Sequence, residues 1–590
     1  MKKKFLYFFQ YCFIFLILFF NYAYSADDTI TGTQTTREDL QADSTLTIQS
    51  GGSLVNTNLN NIARGYIAAG NEIDGATVII ESNASIKGKS NAIMGRETNN
   101  LTITNSGTIS ASTSKAINLR DAQNTTITNK KGATITANTN AIVQEAAGTE
   151  NAENVTISNS GTISSVENRS IYFYEDATNT TLTNNSSGLI YNTADDPTVQ
   201  LGTSSTLTNS GTIENRNSPS NSSITLVGNN NTITLKDGGK VVGTIAAGST
   251  TGNTLKIQHG VGQSYFYKTS GNDMTLQDLD GNQIVKGSAG SVGQGGNENI
   301  DELLGYKSLN IRKSLDKFVK SEGFKNKETE WQGVQATSLE RKEHTKNLAL
   351  GYEFYSLGVN IIRPSENENV IASFEYSEQD FQKDHNIRRY NLLFGLHYNE
   401  TEINKFKNNS FILAGATLNE GERKILTNTT SSGTLNINDT YESFEIHAGK
   451  RFKNKSLIPN IGTNLSYSYT PDHSESKYYS WDDKHVANFS LDLNDEFSIE
   501  REKSKSKFGI GWILDYRTLI TGSKTDYSVK GTKATYKQDD DLTKEMTLSV
   551  SINYEKKFYK FGKILISIDG MQTTQDVSSI GANISFIKIL

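Results

Sequence analysis

The 590-residue chain has a single cysteine, Cys12. One thiol closes no disulfide within the chain and builds no cysteine-ligated metal site. An excess of either charge is also missing: 58 basic residues stand against 64 acidic ones, a formal net of −6. A nucleic-acid binder needs a concentrated basic surface, so that class of partner is excluded. Histidines are few, and His344, His385, His397, His447, His473 and His485 show no metal-ligand spacing. Long apolar runs are nearly absent. The one that exists, Phe5 to Phe20, is broken only by Gln10. It follows Lys2-Lys3-Lys4 and precedes Ala23-Tyr24-Ser25. That order predicts a secretory signal over residues 1–25, cut between Ser25 and Ala26. The competing reading, an uncleaved anchor, needs about 20 apolar residues, more than this run supplies. Cleavage would leave a chain with no cysteine at all.

What the chain has in quantity is repetition. One phrase recurs between about 44 and 258: LTITNSGTIS at 101–110, VTISNSGTISS at 155–165 and STLTNSGTIEN at 205–215. Looser copies are TTITNKKGATITA at 125–137 and TTLTNNSSGLIYN at 180–192, with TVIIESNASIKG from Thr77. Ile86, Ile109, Ile135, Ile163, Ile190 and Ile213 align, with successive separations of 23, 26, 28, 27 and 23. A period in the twenties points to a solenoid. Leucine at fixed short spacings is missing, which excludes leucine-rich repeats. Short β-branched runs favour strands, and Asn and Gly favour the turns between them. The expectation is a right-handed parallel β-helix over 26–286. Its six aligned isoleucines would form one internal ladder, and Asn105, Asn159 and Asn209 would stack their amides.

Beyond residue 326 the period changes to two. Ile461, Leu465, Tyr467 and Tyr469 share one parity against Asn460, Gly462, Asn464, Ser466 and Ser468. Tyr390, Leu392, Phe394, Leu396 and Tyr398 alternate with Asn391, Leu393, Gly395, His397 and Asn399. About twelve such segments, flanked by aromatics, predict an antiparallel transmembrane barrel over 326–590. Named segments are Leu348–Ile362, Val370–Ser377, Arg389–Asn399, Ser410–Leu418, Glu442–Phe452, Ile461–Tyr469, Phe508–Tyr516, Thr547–Tyr554, Lys563–Asp569 and Ile580–Leu590. Asn419–Asp439 and Asp472–Lys484 read as long polar loops. Between the two regions, 287–325 reads as a linker. Gly287–Gly296 is a flexible break, followed by a helix over about 300–320. Leu304, Ile311, Leu315 and Phe318 hold helical spacing there, with Lys307, Arg312, Lys313, Lys317 and Lys320 between them. The fold class is therefore all-β apart from one short helix.

This order of parts resembles a monomeric autotransporter of the type V secretion route. The resemblance rests on the T-N-S-G-T-I phrase, Asn310 within S-L-N-I-R-K-S-L-D-K-F, Leu350-Gly351-Tyr352 and the alternating last strand. It implies a barrel in outer-membrane lipid, a helix inside the pore and a β-helical passenger exposed at the cell surface. It also implies the barrel-assembly machinery and periplasmic chaperones as partners, and an extracellular ligand, glycan or protein. The trimeric branch is disfavoured, because each of its chains supplies only four strands. A mature chain without cysteine suits passage through an oxidising periplasm. Two departures stand out. Lys588 falls on the oily parity of the last strand. Lys307-Ser308 occupies the place where self-cleaving members carry Asn-Asn, which implies a passenger that stays attached.

Candidate chemistry is sparse. The repeat region has one histidine, His259, and no G-D-S-G or G-D-S-L turn, so no Ser-His-Asp catalyst is expected. GSAGSVGQGG lacks the Lys-Ser or Lys-Thr of a phosphate loop. Gly295-Gly296 is a lone half-match to a calcium nonapeptide, and real sites come in arrays. Glu175-Asp176 and Asp195-Asp196 could share a face and hold Ca²⁺ on an acidic-glycan enzyme; the plainer reading is two solvated turns. No catalytic residue, metal or cofactor is assigned. A surface-binding passenger is the leading expectation. A barrel-anchored polysaccharide enzyme and a channel with an accessory N-terminal region are the alternatives.

Overall fold

The computed structural model describes residues 27–56, 61–64, 73–145, 152–285, 289–291, 300–320, 329–343, 350–364, 368–383, 385–403, 406–454, 459–529, 531–558 and 562–589. The expected signal, with Cys12, Ser25 and Ala26, lies outside them. So does most of Gly287–Gly296, of which only Ala289–Ser291 is described, as a short strand. The chain divides into two compact units. One holds 1–259, 268–277 and 427–433; the other holds 260–267, 278–426 and 434–590.

The first unit is a parallel β-solenoid. Its described strands form three sheets of eleven, nine and ten strands, each built by one strand from successive coils. Threonine, isoleucine and leucine favour these four-residue strands, and alternation puts every second residue inside. The first sheet runs Thr102–Asn105, Thr126–Asn129, Thr156–Asn159, Thr181–Asn184 and Thr206–Asn209 in exact-register parallel pairs. In the second, Ile86, Ile109, Ile135, Ile163, Ile190 and Ile213 lie opposite one another in order. All six are fully buried. In the third, Ile93, Ile117, Ile142, Ile171, Val199 and Ile224 form a matching row.

The asparagine slot is a continuous internal ladder. The Asn105, Asn129, Asn159 and Asn184 amides each donate to the carbonyl oxygen of the next, at 2.8 Å, ending on Asn209. All five are fully buried. Asn129 and Asn184 belong to the looser repeat copies, where the T-I-T-N and T-L-T-N contexts already marked the slot. At another corner Asn124, Asn154 and Asn179 adopt left-handed backbone, with φ of 52°, 57° and 56°. Asparagine tolerates that region better than a β-branched residue does.

The second unit is a closed barrel of twelve antiparallel strands around one helix. The strands are β1 Thr329–Arg341, β2 Tyr352–Pro364, β3 Glu368–Phe381, β4 His385–Ile403, β5 Phe406–Thr427, β6 Thr434–Asn454, β7 Asn460–Thr470, β8 Lys484–Arg501, β9 Ser506–Thr521, β10 Lys544–Phe558, β11 Gly562–Thr573 and β12 Val577–Ile589. β1 pairs with β12 from Thr329↔Ile589 to Arg341↔Val577, which closes the ring. Connections 365–367, 404–405, 455–459, 502–505 and 559–561, at the end that holds Thr329 and Ile589, are short. At the other end 471–483 and 522–543 are long. The outer face carries Leu357, Phe374, Leu392, Phe394, Ile412, Leu465, Leu548, Ile568 and Phe586, all exposed. The opposite parity is largely polar, with Asn391, Thr417, Glu445, Asn464 and Ser585 buried. An apolar outside around a polar lumen inverts a soluble barrel and places this one in a lipid bilayer. Among the described residues no helix is long and apolar enough to cross a membrane.

Several segments differ from the expectation. β1 and β8 were not among the named strands. Asn419–Asp439 is not a loop: β5 runs to Thr427 and β6 starts at Thr434. The ladder continues past Leu418, while the outward residues change to Glu420 and Glu422, so the oily alternation stops where the membrane does. Asp472–Lys484 contains two short strands, His473–Ser474 and Tyr479–Trp481, which join Lys524–Val529 and Thr532–Lys537 in a four-stranded sheet. Lys588 does lie on the outer face. It sits opposite Glu330, which also pairs with Arg363 at 2.9 Å, in a charged rim at the open end of the belt.

The ladder predicts a sharp mutational contrast. Asn159→Ala should leave the Asn129 amide and the Asn184 carbonyl environment short of a partner, at a cost of about 1–3 kcal/mol. Thr183→Ala, on the outer face of the next coil, should stay within about 0.5 kcal/mol. Chemical denaturation of the two variants against the parent checks this; equal effects would refute the ladder's role.

Candidate functional site

The helix, α1 Ile300–Lys320, lies in the barrel lumen. Lining up its charges with the wall gives the geometry. Near the helix start Glu302 pairs with Arg341 at 2.9 Å and accepts the Tyr352 hydroxyl at 3.0 Å. The Tyr306 hydroxyl donates to Glu545 at 2.7 Å, and Arg517 pairs with the same carboxylate at 2.7 Å. A side chain at Gly305 would start 2.4 Å from Arg517 Cδ, so glycine there lets Arg517 cross the helix surface. In mid-helix Lys307 pairs with Glu445 at 2.9 Å. Glu445 also accepts from Thr417 at 2.9 Å and from Asn391 at 3.3 Å. Arg312 bridges Asp492 at 2.7 Å and Asp515 at 3.3 Å. Asp316 pairs with Arg451, and Lys317 with Asp569 at 3.5 Å.

Apolar contacts seat both halves of the helix. Tyr306 and Leu309 pack with Leu339, Leu350, Tyr352, Phe354 and Phe381. Ile311, Leu315 and Phe318 pack with Trp331, Ile362, Ile371, Leu393, Leu413 and Ile587. The wall residues of the second group sit on the otherwise polar parity. Leu393 is one of them, and the helix explains why an oily residue faces the lumen. A small gap remains beside the helix, lined by Leu303, Lys307, Asn310, Glu375, Arg389 and Glu445 among others. Asn310 therefore faces a polar space beside an unbroken helix that includes Lys307-Ser308.

Above the long-loop end an aromatic cluster forms. Phe266 packs with Ile425, Ile437, Tyr479, Trp481, Tyr527 and Val529, and stacks on Tyr478 at 4.5 Å. The Tyr479 hydroxyl donates to the Tyr265 carbonyl at 3.3 Å, and the Leu426 N–H donates to Ser264 at 3.1 Å. The Tyr265 hydroxyl donates to Asp278 at 2.9 Å. Burial pushes the Asp278 carboxyl up, while bonds from Tyr265 and Asn282 pull it down.

In the solenoid, the acidic pairs weighed as a Ca²⁺ site occupy different corners. Glu175-Asp176 follows the third-sheet strand Ile171–Phe173. Asp195-Asp196 lies between the second-sheet strand Leu189–Asn192 and the third-sheet strand Val199–Leu201. Asp195 accepts from Asn221 at 3.1 Å, and Asp196 pairs with Arg169 at 3.2 Å. Among the described residues no group of three or more His, Cys, Asp or Glu is placed to hold a metal ion. His259 receives the Gly238 N–H at 3.2 Å. What composition and spacing did not flag is a set of outward tyrosines. Tyr172 and Tyr174 stack at 4.4 Å, and Tyr191 lies under Arg216 at 3.5 Å. Burial first, then the neighbouring Tyr172 and Glu145, pushes the Tyr174 hydroxyl above its ordinary value.

No protein-family model matches the sequence, and no curated protein does. Among solved structures, the translocator domain of the autotransporter NalP from Neisseria meningitidis is similar at 8% identity, covering 48% of this chain and 98% of that one, with a TM-score of 0.37. The β domain of the Bordetella autotransporter BrkA is similar at 9% identity, covering 44% and 99%, TM-score 0.30. The transport unit of the autotransporter AIDA-I from Escherichia coli is similar at 6% identity, covering 45% and 91%, TM-score 0.30. Scores of this size add nothing to what the barrel itself displays: a closed, lipid-facing ring of twelve strands threaded by one charged helix.

Proposed function

We propose that this chain is an outer-membrane autotransporter that delivers its own β-solenoid to the cell surface and keeps it attached. The observation that carries this reading is the charged helix inside a barrel whose outer face is apolar. A soluble protein has no use for such a belt, and a free channel has no use for a helix paired to the wall at six places. The chain order, solenoid then helix then barrel, means that the segment leading to the solenoid runs through the lumen. The barrel-assembly machinery and periplasmic chaperones are the partners such a route needs. Coil-by-coil folding outside would give export a direction, because a paired coil cannot slide back through the lumen.

The displayed solenoid is a binding module of the adhesin kind rather than an enzyme. Supporting this, the Asp195 and Asp196 carboxylates already have side-chain partners, and the lone His259 is bound to a backbone N–H. The Lys307-Ser308 step supports a passenger that is not released.

Three results test this. Protease added to intact cells should remove the solenoid and spare a barrel-sized fragment; a fully protected solenoid would refute surface display. Cell envelopes should contain one species, with solenoid and barrel still joined, and a separate barrel band would refute retention. Purified protein in planar bilayers should conduct poorly, and deletion of 298–321 should raise conductance severalfold. Arg312→Ala leaves Asp492 and Asp515 facing each other unpaired, at a cost of about 3–5 kcal/mol. It should give intermittent openings. High, unchanged conductance in all three proteins would favour a channel instead.

A further inference from the structure

Among the described residues, aromatic side chains are nearly absent from the outer surface of the solenoid. Within the described residues 27–259 the outward aromatics are Tyr172, Tyr174 and Tyr191, on neighbouring strands of two successive coils whose faces meet at the turn between the second and third sheets. Tyr172 and Tyr174 point outward from the third-sheet strand Ile171–Phe173 and its end, with their rings stacked at 4.4 Å. Tyr191 points outward from the second-sheet strand Leu189–Asn192. The Ser170 hydroxyl donates to the Tyr191 carbonyl, which joins the two strands where the coil turns. Val166, among the described residues of this unit the large apolar side chain left exposed, at 54%, begins the turn between the second and third sheets.

Planar polar groups flank the rings and are held still. Arg169 lies 4.6 Å over Tyr172 and pairs with Asp196 at 3.2 Å. Arg216 lies 3.5 Å over Tyr191 and pairs with Glu214, which Lys240 also approaches at 4.0 Å. Lys115 pairs with Glu145 beside Tyr174 at 3.4 Å. Asp195 accepts from Asn221 and Asn217. The four cations Lys115, Arg169, Arg216 and Lys240 thus meet the anions Glu145, Asp195, Asp196 and Glu214, and the exposed Glu167, Glu175 and Asp176 add three more negative charges.

We propose that this corner is a binding site for neutral glycans. It rests on the reading of the solenoid as a displayed binding module. A sugar offers an axial C–H face to an aromatic ring and hydroxyls to planar donors and acceptors; the corner supplies rings and fixed guanidinium, carboxylate and amide groups side by side. A patch with more carboxylates than cations gives no attraction for sialylated or sulfated chains. A protein partner is the poorer fit. A stable protein interface takes about 800 Å² from each side around an apolar core, whereas here three half-buried tyrosines and one valine interrupt a surface of Thr, Ser and Asn.

The test applies the purified full chain, in detergent, to an immobilised panel of neutral glucose, galactose and N-acetylglucosamine oligomers, with sialylated and sulfated versions beside them. Retention on neutral oligomers is expected. Tyr172→Ser with Tyr174→Ser should weaken it at least about tenfold, and Tyr174→Phe, which keeps the ring, should retain it. Tyr191→Ser is a second, independent variant for use if the double change unfolds the coil, and thermal melting separates the two effects. No retention, preference for acidic glycans, or full retention by folded serine variants would overturn the proposal. Adhesion of intact cells to a protein-coated surface distinguishes the underlying reading. Attachment that survives the serine changes leaves a binding module with another ligand, and attachment no better than that of cells bearing the barrel alone removes the module itself.

Discussion

A peptide group inside a bilayer has no water to bond, so each N–H and C=O of a membrane strand must find a neighbouring strand. In this chain the pairing of β1 with β12, from Thr329↔Ile589 to Arg341↔Val577, is where that requirement is met for the whole ring. An open sheet of the same strands would leave two long edges in lipid. Once the ring is closed, every residue faces either lipid or lumen, and alternation sorts them. The lumen of twelve strands is then too wide for wall side chains alone to fill, and α1 occupies it.

A helix with this many charges cannot rest in an oily tube. Its seat works because Glu302, Lys307, Arg312, Asp316 and Lys317 meet partners spread around the wall: Arg341, Glu445, Asp492, Arg451 and Asp569 come from β1, β6, β8, β6 and β11. Buried ion pairs are weak evidence for stability, since desolvation offsets much of the attraction. They are better evidence for placement. Rotating α1 by one residue, or sliding it by one turn, would bring Arg312 away from Asp492 and Asp515 together and bury three charges unpaired. The apolar contacts of Phe318 with Trp331 and of Leu309 with Leu339 add grip, but they tolerate slippage that the charges do not.

Much of this was legible in the sequence, and the gaps share a cause. The isoleucine positions and the T-N-S-G-T-I phrase predicted stacked coils, because a solenoid core repeats the same residue at the same place. The helix span was predicted as well, from Leu304, Ile311, Leu315 and Phe318. β1 was unreadable because Trp331 and Leu339 point inward to α1, while Glu330, Gln332 and Glu340 share the outer face with Val334. Its pattern is inverted by a partner that is distant in sequence. β8 alternates well in Phe489, Leu491 and Leu493, but Asp492, Asp495 and Glu496 lend it the composition of a loop. The upper part of β5 was taken for a loop because Glu420 and Glu422 replaced apolar residues outside the membrane. Hydrophobic alternation reports the solvent on each face; it does not report how far the hydrogen-bond ladder runs. The tyrosine corner was missed for a different reason: Tyr172 and Tyr191 are nineteen residues apart, and only the coil turn brings their strands together.

The two units use one device, the β ladder, with opposite radial polarity. In the solenoid the inward positions are Ile, Leu and Val, and the outward ones Thr, Ser and Asn; in the barrel the order reverses. In each case the informative residues are those that break the local rule. Asn105 to Asn209 are polar residues in an oily interior, and they survive there because each amide bonds the next at 2.8 Å, which only identical coils in exact register can supply. Ile371, Leu393 and Leu413 are oily residues on a polar wall, and they persist because Phe318 and Leu315 cover them. A slipped coil would orphan the amides, and a withdrawn helix would expose the leucines to water. The exceptions therefore specify register in one unit and occupancy in the other, two properties that a regular alternation alone leaves open.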